Sequence, residues 1–476
     1  MVFSSSLFLL YFLPVFLLLY HFFKNNTYKN WVILFASIFF YAWGAPVFVF
    51  VVIGSVILDY YIIYSMYHSS KPLNRRYLLA LSISINIGLL LYFKYANFFV
   101  ENLDFMLHSM GFENLQWTQV ALPIGISFYT FQTLTYSIDV YRGVHKPLKN
   151  PVQYLVYIML FPQMIAGPIV RFNQIADQIE DRQHLETLDN KLLGFFRFGI
   201  GLAKKVLIAN VLGAEADQAF ALADGELTTS IAWIGIIAYT FQIYYDFSGY
   251  SDMAIGLGRI MGFKFPENFN NPYTSQSITE FWRRWHMTLG SWMKDYLYIP
   301  LGGSRVSSKK RLYFNLWLVF LVSGLWHGAA WNFIIWGAFH GFFLILDRLF
   351  LLNFSEKIGK YPSIALTFFI TIIGWVLFRA ESMDQAFYYM DAMFNFNGLE
   401  LKNYGSHFWT IMVFAILFAF ITLNKHGLKW EQIIFFAEHY KSKGYIAMTI
   451  LLLVLIVLSL SSITSSGFNP FIYYRF

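Results

Sequence analysis

Apolar positions along the chain form long runs that contain no Asp, Glu, Lys or Arg. The clearest of these runs cover residues 1–23, 31–58, 114–138, 150–170, 227–245, 312–346, 361–378, 403–424 and 444–474. Each is near or above the roughly 20 residues that a membrane-spanning helix requires. Residues 77–93 and 192–214 form weaker stretches. The pattern predicts an all-α polytopic membrane protein with about ten or eleven transmembrane helices, plus re-entrant or interfacial helices.

The composition supports this class. Hydrophobic residues make up 57% of the 476 positions and charged residues only 13%, with 53 Phe, 32 Tyr and 14 Trp. Such an aromatic excess is more than a soluble core needs, so we expect one integral-membrane domain over residues 1–476. The chain has no cysteine, which excludes disulfides and thiolate catalysis. No basic residue precedes the first apolar run, so a removable secretory signal is not expected.

Residues 312–346 carry two histidines inside a charge-free run. In its centre, LVSGLWHGAAWNFIIWGAFHG, stand His327 and His340. An imidazole in a bilayer or large core must be held by partners or used for chemistry, which makes His327 the first functional candidate. His340 follows 13 residues later, about 220° round a continuous helix. If the helix is continuous, the two rings point apart, and we expect His340 to have a packing or supporting role.

Both histidines also stand one residue before the second glycine of a small-xxx-small spacing. The pairs are Gly324/Gly328 and Gly337/Gly341. This spacing lets helices approach closely in lipid. It predicts tight packing that holds both imidazole rings in place.

Residues 256–311 form the most basic segment, with nine basic residues against three acidic ones. One interpretation is a cytoplasmic loop that follows the positive-inside bias, with Lys309–Arg311 touching anionic headgroups and no nucleic-acid partner. The other concerns residues 281–305, whose aromatic spacing suits an amphipathic or re-entrant helix. There Arg283 and Arg284, with the glycine pair 302–303, could receive the phosphates of a nucleotide-bearing donor. Both interpretations stay open.

Two further features break the apolar pattern. Asp246 and Asp252 lie at the end of an apolar run, where an ionised carboxylate is costly without a partner. We therefore expect them to form structural ion pairs rather than a proton relay. The expected partners are Arg259 or Arg284. Two prolines at positions 162 and 168 bracket a glycine at 167. That arrangement predicts a broken helix lining a cavity.

The motif inventory narrows the chemistry. The sequence has no GxSxG elbow and no HExxH, and no carboxylate stands at ligand spacing from His286, His327 or His340. A serine hydrolase of the usual type and a zinc protease find no support, and no metal site is expected. A neutral imidazole in a membrane cavity is well suited to taking a proton from a hydroxyl that attacks a thioester. Acyl transfer is the chemistry that fits.

Several long motifs, in order, make the chain resemble the membrane-bound O-acyltransferase superfamily and, within it, the alginate O-acetylase branch. They are FPQMIAGPIVRF at 161–172, QIYYDFSGYSDMAIGLGRIMGF at 242–263, NFNNPYTSQSITEFWRRWHMTLGSWMKDYLYIPLGGSR at 268–305, GLWHGAAWNFIIWGAFHG at 324–341 and NPFIYYRF at 469–476. The resemblance places the family's buried catalytic histidine on His327 and its second functional histidine on His286. It implies a ring of helices with a central tunnel, where a cytoplasmic donor and an extracytoplasmic acceptor meet.

The same resemblance implies a function. His327 would act as general base and His286 would orient or polarise the reacting centre, while Arg283 and Arg284 bind donor phosphates. The donor would be acetyl-CoA, a substrate rather than a bound cofactor. The acceptor would be an exported polysaccharide or cell-wall glycan, reached directly or through a periplasmic acetyltransferase partner with polysaccharide-export proteins, at the bacterial inner membrane.

Two alternatives stay open. A D-alanyl or other acyl transferase would take its acyl group from a carrier protein, which needs a cytoplasmic docking surface. A polytopic transporter would explain the spans and the intramembrane acids, but it should have matching halves, and the sequence has no internal repeat.

Overall fold

The computed structural model describes residues 1–223, 225–400, 402–465 and 467–469, and within these ranges the secondary structure is helical, with no β-strand. The all-α fold class is therefore confirmed. Apart from Asn469, the NPFIYYRF motif lies outside the described residues. The residue contacts divide the chain into two compact units. The prediction of one domain over the whole chain stays a prediction.

Unit one comprises Leu7–Lys191 together with Met1 and Gly258–Phe265. Two π-helical turns, Phe8–Phe12 before the first helix and Leu91–Tyr95 after the fourth, extend its helices. Its helices are α1 (Leu13–Phe22), α2 (Asn26–Ala42), α3 (Phe48–His68), α4 (Pro72–Leu90), α5 (Ala96–Ser109), α6 (Ile126–Tyr141), α7 (Pro151–Met159), α8 (Phe161–Met164) and α9 (Phe172–Glu180).

The interior of unit one contains a buried carboxylate that is held by uncharged donors. Asp59 on α3 is 1% exposed. Its two oxygens accept hydrogen bonds from the Ser82 hydroxyl, the Asn86 amide and the Tyr154 hydroxyl, the last at 2.7 Å. A buried polar group is tolerated when donors of this kind surround it, and here they tie α3 to α4 and α7.

The predicted broken helix also lies in unit one. α7 ends at Met159 and α8 ends at Met164, after which Gly167 adopts a φ of +100° that favours glycine. The break is confirmed, and the side chains on both sides of it are buried. That this segment lines a cavity stays a prediction.

Unit two comprises Val2–Ser6, Leu192–Leu257 and the chain from Pro266 onwards. The predicted interfacial helix over residues 281–305 is divided, because helical geometry stops at Trp285–His286. Unit two holds all or most of α10 (Leu188–Ala203), α11 (Asn210–Phe220), α12 (Thr229–Ile260), α13 (Ile278–Arg284), α14 (Met287–Met293), α15 (Lys309–His327), α16 (Trp331–Leu346), α17 (Leu352–Ile358), α18 (Lys360–Arg379), α19 (Met383–Phe394), α20 (Ser406–Phe420), α21 (Lys425–Phe436) and α22 (Ser442–Ser465).

Within the described ranges, six helical segments are long and apolar enough to cross a membrane, fewer than the ten or eleven predicted. Turns divide several charge-free runs into shorter helices; the first run, for example, yields a helix of only Phe8–Phe22. The exact number of spans stays a prediction. The six segments are Phe48–His68, Pro72–Ser109, Trp331–Ile358, Lys360–Arg379, Ser406–Leu423 and Ser442–Ser465.

Buried ion pairs hold α12 in unit two. Asp252 accepts from the Arg197 guanidinium and from the Lys204 ammonium, both at 2.7 Å. Asp246 pairs with Lys205 at 2.7 Å. The expectation of structural ion pairs is confirmed. The expected partners were wrong, because the paired cations come from the α10 region and not from Arg259 or Arg284.

Candidate active site

The charge-free run at 312–346 is a helical hairpin and not one continuous helix. α15 ends at His327, the chain turns through residues 328–330, and α16 begins at Trp331. The two helices are so close that a Cβ on Gly324 would lie 2.3 Å from the carbonyl oxygen of Phe333. The tight packing predicted from the glycine spacing is therefore confirmed.

His327 is the last residue of α15, and its ring lies among aromatic side chains. The ring centroids of Trp326, Trp336 and Phe378 are 4.9, 5.1 and 5.2 Å away, and His327 is only 7% exposed. The carboxyl end of a helix stabilises a nearby positive charge. An imidazole here is consequently screened from bulk water yet can accept a proton.

His340, on α16, contacts the indole of Trp336, which also contacts His327. Its ring centroid is 5.1 Å from that of Trp336 and 4.9 Å from that of Trp282, and its side chain is fully buried. The chain turns back between the two histidines, so the continuous helix on which the expected separation of their rings depended is not present. Gly374 on α18 makes room for His340, since a Cβ there would lie 2.6 Å from its Nε2. These contacts agree with a packing role.

His286 lies in the break between α13 and α14, with a left-handed φ of 44° and 1% exposure. A non-glycine residue in this conformation costs about 1–3 kcal/mol and is often found at functional sites. Its ring is 4.6 Å from that of Phe247 and 6.1 Å from that of Trp326. Both predicted catalytic histidines therefore contact Trp326.

Asn268 holds His286 in this unusual conformation. Its side-chain oxygen lies 3.0 Å from His286 Nδ1, and its backbone carbonyl accepts from the Met287 N–H at 2.9 Å. Burial lowers the pKa of His286 to about 3, so the ring is neutral at physiological pH. Sequence reasoning missed Asn268, although it opens the asparagine-rich NFNN that precedes the histidine segment.

The two predicted donor-binding arginines differ in environment. Arg284 forms an ion pair with Glu280 at 2.7 Å and reaches the Thr274 hydroxyl at 3.3 Å. Arg283 is exposed. The glycine pair 302–303 forms a turn with φ values of +103° and +57°. Phosphate binding by these residues stays a prediction.

Comparison with known proteins identifies the family. The model of the membrane-bound O-acyltransferase family matches residues 144–377, which include both histidines. Over the whole length of both proteins, the chain is 41% identical to the probable alginate O-acetylase AlgI of Pseudomonas putida. The chain belongs to the membrane-bound O-acyltransferase family.

Other relatives of this membrane-bound O-acyltransferase are similar over most of their length. The probable alginate O-acetylase AlgI of Pseudomonas aeruginosa is 44% identical over 90% of the chain and 82% of that protein. The peptidoglycan O-acetyltransferase of Helicobacter pylori is 38% identical over 84% of the chain and 81% of that protein. The resemblance to the alginate O-acetylase branch is thus confirmed, and the enzyme is an O-acetyltransferase.

The structure brings some predicted site residues of the acyltransferase together. His286 and His327 share the Trp326 ring, whereas Arg283 is exposed at the end of α13. In the described part of the chain, no group of three or more His, Asp or Glu side chains is arranged to hold a metal ion. The side chains that surround the candidate centre are instead the indoles and phenyl rings of α13, α15, α16 and α18.

Proposed function

We propose that this enzyme moves an acetyl group from a cytoplasmic thioester, acetyl-CoA, to a hydroxyl of an exported polysaccharide or cell-wall glycan. It acts in the bacterial inner membrane, directly or through a periplasmic acetyltransferase partner that works with polysaccharide-export proteins. Relatives named for alginate and for peptidoglycan support a glycan acceptor, since both are polymers of hydroxyl-bearing sugars. A ring of helices around a tunnel would let donor and acceptor approach from opposite sides.

The observation that carries this proposal is the position of His327. A buried imidazole at the carboxyl end of α15, enclosed by Trp326 and Trp336, is screened from water, and the helix terminus offsets part of the cost of its gaining a proton. That is what a general base for acyl transfer requires. Asp246 and Asp252 are occupied in ion pairs, so the histidines are the better candidates for moving a proton.

The transfer step balances with His327 alone as the proton carrier. The imidazole takes the hydroxyl proton while the hydroxyl oxygen attacks the thioester carbonyl, which forms a C–O bond. The tetrahedral centre then expels the sulfur, which breaks the C–S bond. The imidazolium returns its proton to the departing thiolate, giving free thiol and an O-acetyl ester. No oxidant, reductant or metal is needed.

Arg283 and Arg284 supply the donor-binding part of the proposal. Both stand at the end of α13, separated from His286 in the chain by Trp285, within the most basic segment. A guanidinium binds phosphate through charge-assisted hydrogen bonds, so these residues would hold the nucleotide end of acetyl-CoA. The exposed Arg283 is available for this, while Arg284 would have to exchange Glu280 for phosphate.

Replacing His327 with alanine tests the proposal. Purified His327→Ala should lose acetyl transfer by about 10²- to 10⁴-fold, the range that general-base catalysis supplies, while it stays folded and inserted. The assay is thiol release from acetyl-CoA, with or without a glycan acceptor, and the cysteine-free chain adds no background. His407→Ala, at an exposed position of α20, is the matched control and should keep full activity.

Two outcomes would contradict parts of the proposal. Full activity in His327→Ala would rule out His327 as the general base. The wild-type protein could instead release no thiol from acetyl-CoA but transfer an acyl group from a carrier-protein thioester. In that case acetyl-CoA would be the wrong donor, and the proposed role of His327 would stand.

A further inference from the structure

The hydrogen bonds around His286 identify which of its ring nitrogens carries the proton. One atom, the side-chain oxygen of Asn268, lies within hydrogen-bond distance of three groups. These are His286 Nδ1 at 3.0 Å, the Thr288 backbone N–H at 3.3 Å and the Thr288 hydroxyl at 2.8 Å. On its other side, the Asn268 amide nitrogen donates to the Ser251 hydroxyl at 3.1 Å.

The backbone N–H of Thr288 determines the orientation of the Asn268 amide. Hydroxyl groups can donate or accept, so the contacts with Ser251 and with the Thr288 side chain allow either orientation. A backbone N–H can only donate. The Asn268 atom that faces it must therefore be the oxygen, since the amide nitrogen would place two donors against each other.

This orientation determines the tautomer of His286. An amide oxygen cannot donate, so the Nδ1 that lies 3.0 Å from it must carry the proton. In the neutral ring Nε2 then holds a lone pair. Nε2 is buried and has no hydrogen-bond partner among the described residues. A buried acceptor that is left without a donor is costly, and a polar group of a substrate would satisfy it.

We propose that Asn268 is a positioning residue that keeps His286 in the Nδ1–H tautomer, so that Nε2 accepts a hydrogen bond from a polar group of the acceptor other than the hydroxyl whose proton His327 takes. This inference rests on the proposed acetyl transfer and refines the role of His286 in it. With no proton on Nε2, His286 cannot donate to the thioester carbonyl. It therefore acts on the acceptor side of the reaction and does not polarise the donor.

The surroundings of His286 support a ring that stays neutral. The side chains in contact with its ring are Phe247 of α12, Trp326 of α15 and Asn268, and Asn268 in turn contacts Ser251 and Thr288; none of these groups is charged. The neighbouring carboxylate in α12, that of Asp252, is paired with Arg197 and Lys204. Asn268 is uncharged. It therefore orients the ring without the attraction by which an aspartate carboxylate would favour the imidazolium form.

The test reads the tautomer directly. Full-length enzyme is labelled with histidine that carries 15N at Nδ1 only, and His286→Gln identifies the His286 signal by difference. In the wild type we expect the chemical shift of a protonated, pyrrole-type nitrogen. In Asn268→Ala the signal should move towards the unprotonated, pyridine-type position. Asn268→Asp keeps the acceptor oxygen and should keep the protonated Nδ1.

Kinetics with the same variants separate positioning from general damage. Asn268→Ala should lower kcat about 10- to 100-fold with the KM for acetyl-CoA unchanged, because the wrong tautomer becomes populated. Asn268→Asp should recover most of the rate, but a carboxylate favours the imidazolium form and raises the pKa of His286. Its activity should therefore fall on the acid side at a higher pH than in the wild type.

Asn270→Ala, an exposed asparagine two residues away, is the matched control and should leave both signal and rate unchanged. An unprotonated Nδ1 in the wild type, or an unchanged signal in Asn268→Ala, would overturn the inference. A wild-type protein with the expected Nδ1–H signal that releases no thiol from acetyl-CoA would instead contradict the proposed function and leave the tautomer assignment standing.

Discussion

His286, His327 and His340 are all buried, yet their neighbours give them different chemistry. His286 has one nitrogen committed to Asn268 and the other available as an acceptor. His327 stands at a helix terminus that favours a positive ring. His340 is enclosed by indoles, with no hydrogen-bond partner for either nitrogen among the described residues. At the residue scale, the three histidines are thus distinguished by their hydrogen-bond partners and by their position in a helix, and not by burial.

The exposed Arg283 and the paired Arg284 lead to a prediction about donor binding. Arg283→Ala should raise the KM for acetyl-CoA by about tenfold with little change in kcat, because a charge-assisted phosphate contact is lost. Arg284→Ala should have a smaller effect, since its guanidinium is already engaged by Glu280. Initial rates over a range of donor concentrations provide the measurement.

Lys310→Ala is the control for this series, because it removes an exposed charge from the same basic segment where headgroup contacts are expected. If either arginine variant lowered kcat and left KM unchanged, residues 281–305 would have no part in donor binding.

At the scale of elements, the α15–α16 hairpin depends on glycine. A Cβ on Gly337 would lie 2.4 Å from the carbonyl oxygen of Phe320, and one on Gly341 would lie 2.9 Å from the Trp317 ring. The helices can therefore approach only where side chains are absent. This close approach brings His327 of one helix against Trp336 of the other.

Adding a methyl group to the hairpin should therefore destabilise it. We expect Gly337→Ala to lower the free energy of unfolding by about 1–3 kcal/mol, as overpacking does, and to reduce acetyl transfer as the rings move apart. The midpoint of thermal unfolding in one detergent measures the first effect. Gly54→Ala is the matched control, since nothing lies within 4 Å of a Cβ at that position of α3. Equal midpoints for the two variants would contradict the packing argument.

At the scale of the whole molecule, the buried cations differ in their surroundings from the basic residues of 256–311. Lys29 and Arg197 are buried and paired with acids, Lys29 with Glu186 and Arg197 with Asp252, whereas the buried Arg182 binds the uncharged Tyr20 and Asn30. The basic residues of 256–311 lie mainly on exposed positions. Because the positive-inside bias concerns Lys and Arg in loops, this exposed surplus predicts the cytoplasmic side.

A cysteine at Ser307 tests this orientation. Ser307 is exposed within the basic segment, and the natural chain has no cysteine to interfere. We expect an impermeant thiol reagent to label Ser307→Cys only after the cells are permeabilised, because positively charged loops stay in the cytoplasm. The parent protein, labelled in parallel, gives the background. If Ser307→Cys were labelled in intact cells, the proposed orientation would be wrong. The basic segment and the donor entrance would then lie on the extracytoplasmic side of the membrane.

The sequence by itself determined the membrane class, the broken helix at residues 160–168 and the glycine packing, and it made His327 a catalytic candidate. Each of these features depends on composition or on spacing over a few turns of chain, and such local patterns act in any helical fold. The family motifs added His286 as the second candidate, together with the expected donor and acceptor, because these motifs are contiguous in the sequence.

Only the tertiary structure decided which distant groups meet. The turn after His327 lets His327 and His340 both contact the indole of Trp336, although a continuous helix would have separated the two histidine rings. Asp252 is paired with cations about 50 residues earlier in the chain, and Asn268 reaches His286 across a break in helical geometry. Long-range partners are selected by how helices pack, and no local pattern of residues encodes that choice.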